Sequence, residues 1–120
     1  MTADDAQRWL DAYVAAWASY DEAEITALFT DDAEYRYDAF RKPIVGSAAI
    51  AANWLRHRDS PGSWEAEYRP FAVDGDRVVA VGETRYPQEA KRYANVYLLE
   101  FAADGRCRSF TEWYLLEKKK

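Results

Sequence analysis

With 120 residues, 49% hydrophobic and 16% aromatic, and only five glycines and four prolines, the chain is long enough for one buried core and too apolar for disorder. A net charge of −5 repels phosphate backbones, so nucleic acid is excluded as an expected partner, and no apolar run reaches the roughly 18 residues that a membrane helix requires. The single cysteine, Cys107, has no partner for an internal disulfide and no secretory leader is legible, so the expected setting is a reducing cytoplasm, with no membrane partner.

Ala6, Trp9, Leu10, Tyr13, Val14 and Trp17 repeat at the spacing of one helical face. Thr2 or Asp4 supplies the cap of this first helix, and early acidic side chains suit the positive end of its dipole. Asp21 and Glu24 have capping-box spacing, and Ile25, Leu28 and Phe29 give a short second helix its apolar face before it stops near Thr30. Ala33 to Asp38, rich in β-favouring tyrosine, reads as the first strand. A loop containing Pro43 follows, and Ser47 is the expected N-cap of a third helix that carries Ile50, Trp54 and Leu55.

Ser60-Pro61-Gly62-Ser63 is turn chemistry, and beyond it the hydrophobic period changes from 3.6 to 2. Strands are expected near 64–73, 77–86, 92–101 and 106–116, joined by Asp74-Gly75-Asp76, a turn at Pro87, and Asp104-Gly105. The lysines at 118–120 read as a solvated tail. Helices followed by a meander define a single α+β domain over residues 1–120: a curved antiparallel sheet with three helices of the N-terminal half on its concave face, enclosing a cone-shaped space. The aromatic load exceeds what a minimal core needs, leaving rings such as Trp17 and Trp54 to line that space, fill the core or cover an interface.

The stretch AYVAAWASYDEAEITALFTDDAEYRYDAF, followed by VGSAAI and RYANVYLLEFAADGRCRSFTEWYLL, resembles the nuclear-transport-factor-2-like superfamily, in particular its ketosteroid-isomerase-like and polyketide-cyclase-like (SnoaL-like) branches. The resemblance covers nearly the whole chain. It implies a cone-shaped fold whose pocket serves different members as an isomerase, cyclase, dehydratase or epoxide-hydrolase site, or as a binding module, so fold alone does not choose among these. In the isomerase branch a helix-1 tyrosine and a strand carboxylic acid bind the developing oxyanion while a first-strand aspartate shuttles the proton. In this sequence the tyrosine matches Tyr13, the base position holds Tyr37, and the acid position holds Tyr97. A phenol is a poor base at neutral pH. Asp38 neighbours Tyr37 but is out of phase with it in a regular strand; a bulge or a one-residue slip exchanges the two.

The same register puts Phe110, Glu112 and Tyr114 on the pocket side of the last strand, opposite Cys107, Ser109, Thr111 and Trp113. Glu112 is therefore the leading carboxylate: desolvated, it exchanges protons near neutral pH; on the rim, it is an ion-pair partner. Asp38 stands as a second candidate at the loop edge, and Tyr13 and Tyr97 as donors to a ligand oxygen. Tyr37, Asn95, Trp17, Trp54, Phe110 and Tyr114 complete the expected ligand-binding set. His57 reads as a helix-end surface residue. One histidine and one cysteine do not make a zinc site, which leaves only an all-oxygen ion site open, and no glycine-rich phosphate loop or dinucleotide fingerprint occurs, so no cofactor is expected. Two functions remain: a cofactor-free acid-base enzyme acting on a small apolar cyclic or aromatic molecule, and a non-catalytic module that binds a ligand or forms a homodimer through Trp64, Ala66, Tyr68 and Trp113.

Overall fold

In the computed structural model, whose described residues are 1–118, Thr2 starts helix α1 (Ala3–Ser19) with a complete capping box: its hydroxyl accepts the Asp5 N–H while Asp5 accepts the Thr2 N–H. The last two lysines of the expected tail lie outside the described residues. Helix α2 (Glu22–Ala27) is capped by Asp21, whose carboxylate accepts the Glu24 N–H. It ends three residues before Thr30, and strand β1 begins at once, at Phe29, running to Arg36. Burial explains the earlier switch: Leu28, Phe29 and Ala33 are all needed in the core.

The Pro43 loop contains a two-residue strand, β2 (Ile44–Val45), that the sequence does not announce; it pairs antiparallel with β1. Ser47 is the first residue of α3 (Ser47–Arg56), and the cap position belongs to Gly46, at φ 97°, where Ser47 was expected. Beyond α3 come β3 (Glu65–Asp74), β4 (Arg77–Tyr86), a single 3₁₀ turn at Pro87–Glu89, β5 (Lys91–Phe101) and β6 (Cys107–Leu116), within a residue or two of expectation.

The strands form one six-stranded sheet in the order β2-β1-β6-β5-β4-β3. It is α+β as expected, but mixed: β1 pairs parallel with β6, so the antiparallel expectation holds only for the other four pairings. The parallel pair arises because the helical segment places β1 beside the last strand rather than beside the strand that follows it in sequence. Helix α1 lies against β3, and α3 against α2 and β1, on the concave face.

Period-2 alternation sorts the side chains. Val78, Ala80 and Thr84 of β4, Asn95, Tyr97 and Leu99 of β5, and Phe110 and Glu112 of β6 face inward, while Val96, Leu98 and Trp113 stand on the convex face and are exposed. Cys107 departs from its expected outer position: a bulge between Glu100 and Phe101 shifts the phase of β6, and the thiol is fully buried, with burial pushing its pKa up to about 12. Three of the four expected interface residues are also inside. Trp64 stacks on Trp17 at 3.6 Å, Ala66 packs on the core, and Tyr68 is buried; only Trp113 faces out.

Gly82 is what admits Tyr68. The two are paired across β3 and β4, and a Cβ at Gly82 would lie 2.0 Å from the Glu67 carbonyl oxygen and 2.5 Å from a Tyr68 ring carbon. Gly82→Ala should therefore destabilise the fold by about 3 kcal/mol, the upper end of overpacking costs, read as a lowered urea midpoint; an unchanged midpoint would mean that β3 can move outward freely.

Candidate active site

Between the helices and the concave sheet lies a cavity of about 760 Å³. All nine tyrosines of the chain line it, together with Trp17 and Trp54, and none of the five phenylalanines does. Phe110, expected in the lining, lies one layer deeper: it is fully buried and stacks on Tyr35 at 4.3 Å with rings parallel to 2°.

Glu112 stands on β6 facing the cavity, cross-strand from Tyr97. Desolvation raises its pKa to about 7, against a partial lowering by the Asn95 amide, which donates to Oε2 at 3.0 Å. The Asn95 side chain is oriented in turn: its Oδ1 accepts from Thr84 Oγ1 at 2.9 Å, and Tyr68 and Thr84 hydroxyls meet at 2.5 Å. Thr84 has one hydroxyl hydrogen and gives it to Asn95, so Tyr68 must be the donor to Thr84. Tyr68, Thr84, Asn95 and Glu112 thus form a one-way file of donors ending on one carboxylate oxygen. Glu112 Oε1 has no hydrogen-bond partner among the described residues.

Around this file Tyr13, Tyr35, Tyr37 and Tyr97 stay neutral. Burial pushes Tyr13, Tyr35 and Tyr97 well above the ordinary value and Tyr37 to about 12. The Tyr13 and Tyr35 hydroxyls lie 3.3 Å apart, and Tyr37 donates to Asn53 Oδ1 at 2.6 Å. Tyr13, Tyr37, Asn95, Tyr97, Trp17, Trp54 and Tyr114 all line the cavity. Asp38 does not. It lies beyond the end of β1, in a bend where it accepts the Phe40 N–H at 2.9 Å and pairs with Arg41 at 3.0 Å, so neither the bulge nor the slip that would turn it inward occurs. Arg36 pairs with Glu34 on the exposed side.

The sequence reading missed Tyr35, Tyr68, Thr84 and Asn53. Tyr35 shares the parity of Tyr37, and Thr84 that of Val78 and Ala80, so the period-2 signal was available for both. Nothing in sequence pairs Thr84 with Asn95. His57, the cap of α3, lines the mouth with Arg41, Lys42, Asp59, Glu89 and Lys91. Among the described residues no group of three or more histidine, cysteine, aspartate or glutamate side chains is arranged to hold a metal ion, and no helix is long and apolar enough to cross a membrane.

Residues 10–110 match the model of a family described as the SnoaL-like domain. No curated protein matches the sequence. Among solved structures, the chain is similar to a nuclear-transport-factor-2-like protein of unknown function from Burkholderia xenovorans, with TM-score 0.75 and 20% identity over 98% of this chain and 88% of that one. It is also similar to a protein from Kribbella flavida provisionally called a ketosteroid isomerase, with TM-score 0.73 and 18% identity over 98% and 83% of the two chains. An epoxide hydrolase of Mycobacterium tuberculosis described as LEH-like superposes with TM-score 0.66 and 18% identity over 94% and 84%.

The carboxyl of Glu112 is neutral over a wider pH range when folded than when unfolded, so its contribution to stability is fully present below about 4.5 and is lost as pH rises through about 7. Glu112→Gln removes that dependence. Urea unfolding should find the two proteins similar near pH 4.5 and the variant more stable by a few kcal/mol at pH 8; parallel stability curves would mean an ordinary, solvated carboxylate.

Proposed function

The chain belongs to the SnoaL-like domain family, and on that premise we propose that its cavity binds a small molecule with an apolar cyclic or aromatic body and carries out cofactor-free acid-base chemistry on it. Glu112 is the proton acceptor, and Tyr13 and Tyr97 donate hydrogen bonds to a ligand oxygen. The observation that carries this reading is one carboxylate, isolated in an aromatic cavity and held near pKa 7, where both of its protonation states are populated at neutral pH. The Kribbella and Mycobacterium relatives, called an isomerase and an epoxide hydrolase, are consistent with an isomerase, cyclase or hydrolase type of reaction. Asp38 takes no part in the reading, because it is engaged by Arg41 outside the cavity. The cytoplasmic setting rests on the single unpaired cysteine.

Carbon-detected NMR titration of the carboxylates requires no substrate. Glu112 should titrate near 7 and rise further in Asn95→Leu, which withdraws the one hydrogen bond that lowers it; a midpoint near 4.5 would remove the basis for acid-base chemistry.

A second reading, a homodimerising binding module, is favoured by the convex face. Val81, Val96 and Trp113 lie in one cross-strand row and Val79, Leu98 and Thr111 in the next. Ion pairs flank the rows at both ends: Glu67 and Glu83 with Arg85 on one side, Asp76 and Glu100 with Arg108 on the other. An apolar centre with a charged rim is the composition of a protein interface, and a second copy offers the same face in isologous contact. Sedimentation at micromolar concentration should show a dimer that Leu98→Glu converts to monomer; a monomeric unmutated protein would exclude this contact.

A further inference from the structure

We propose that the group this cavity holds against Glu112 is positively charged: the ligand is an organic cation, an ammonium centre on an apolar body. The proposal rests on the reading of Glu112 as the reactive group of the pocket and extends it to the chemistry of the molecule bound there.

The first observation is the choice of rings. Every tyrosine lines the cavity and no phenylalanine does, although phenylalanine would bury as much apolar surface at lower desolvation cost. Tyrosine and tryptophan combine an electron-rich face, which attracts ammonium groups, with a polar edge that phenylalanine lacks. Tyr37 directs its hydroxyl hydrogen to Asn53 and Tyr68 directs its own to Thr84, so neither presents a donor to the ligand.

The second observation is the missing counter-charge. Glu112 has one hydrogen-bond partner, the neutral amide of Asn95, and no salt bridge among the described residues. The titratable groups coupled to it are Tyr13 of α1, Tyr35 and Tyr37 of β1, Tyr68 of β3, Tyr86 of β4 and Tyr97 of β5, all of them phenols. A half-buried carboxylate without a counter-charge, in a cavity walled by neutral aromatic side chains, is a half-made ion pair.

The entrance does not oppose a cation. Arg41 is paired with Asp38 at 3.0 Å and Lys91 with Glu89 at 3.6 Å, and Asp59 stands in the lining with Lys42. Binding of a cation favours the ionised form of Glu112 and lowers its proton affinity.

The test uses two isosteric probes, (4-hydroxyphenyl)trimethylammonium and the neutral 4-tert-butylphenol, titrated by calorimetry and NMR. The cation should bind about tenfold or more tightly than its isostere, and saturation should move the Glu112 midpoint downward from about 7 in the unmutated protein. Glu112→Gln, its fold checked by near-ultraviolet circular dichroism, should reduce the preference to about threefold or less. Equal affinities, or no binding of the cation at millimolar concentration, with Glu112 still titrating near 7, would overturn the cation assignment alone and leave the acid-base reading in place. Tight, Glu112-dependent cation binding with a midpoint near 4.5 would support the cation site and remove the proton-transfer role.

Discussion

The face-to-face contact of Phe110 with Tyr35 and Tyr13 is the joint on which the rest of the molecule hangs. The centroids are 4.3 Å and 5.5 Å from that of Phe110, with interplanar angles of 2° and 16°, and the three rings come from β6, β1 and α1. Rings do not compress, so this contact sets how closely the first helix approaches the sheet and therefore how deep the cavity is. It also fixes the phase of β6. With Phe110 locked into the floor, Glu112 two residues on must face the same side, and Trp113 must face away. Packing and chemistry are thus settled by one interaction.

The hydrogen-bonded file behind Glu112 works within that frame. An amide alone beside a carboxylate could turn either its oxygen or its nitrogen toward it; Thr84 removes the choice by occupying the oxygen, and Tyr68 secures Thr84. Thr84 and Asn95 are both buried, yet no buried side-chain polar atom among the described residues lacks a partner. Burial raises the pKa of the carboxyl and the amide moderates the rise, so its proton affinity is a balance between a large unfavourable environment and one well-placed donor.

How much of this was legible in the sequence follows from the range of each interaction. The helices and the four long strands are written in local periodicity, and Glu112 emerged from simple parity along β6, as did Tyr13 and Tyr97 from their places in the resemblance. What failed depended on contacts that local pattern does not encode. The parallel partnership of β1 is decided by where the helices leave the chain; Cys107 turned inward because of a bulge opposite Glu100; Asp38 was lost because its strand ended two residues before it, at Arg36. The error over Trp64, Ala66 and Tyr68 has the same origin: alternation on β3 gave two faces, and nothing within that strand says which one α1 will cover.

The pairing of β1 with β6 carries a consequence for the order of assembly. A chain leaving the ribosome can form α1, α2 and the β3-β4 hairpin early, but β1 finds its long neighbour only in the final strand, and Tyr13 finds Phe110 there as well. Closing so distant a contact is entropically demanding, which slows the step that joins β1 to β6. Until β6 pairs with it, one long edge of β1 and much of the aromatic floor stay open to water and to other chains.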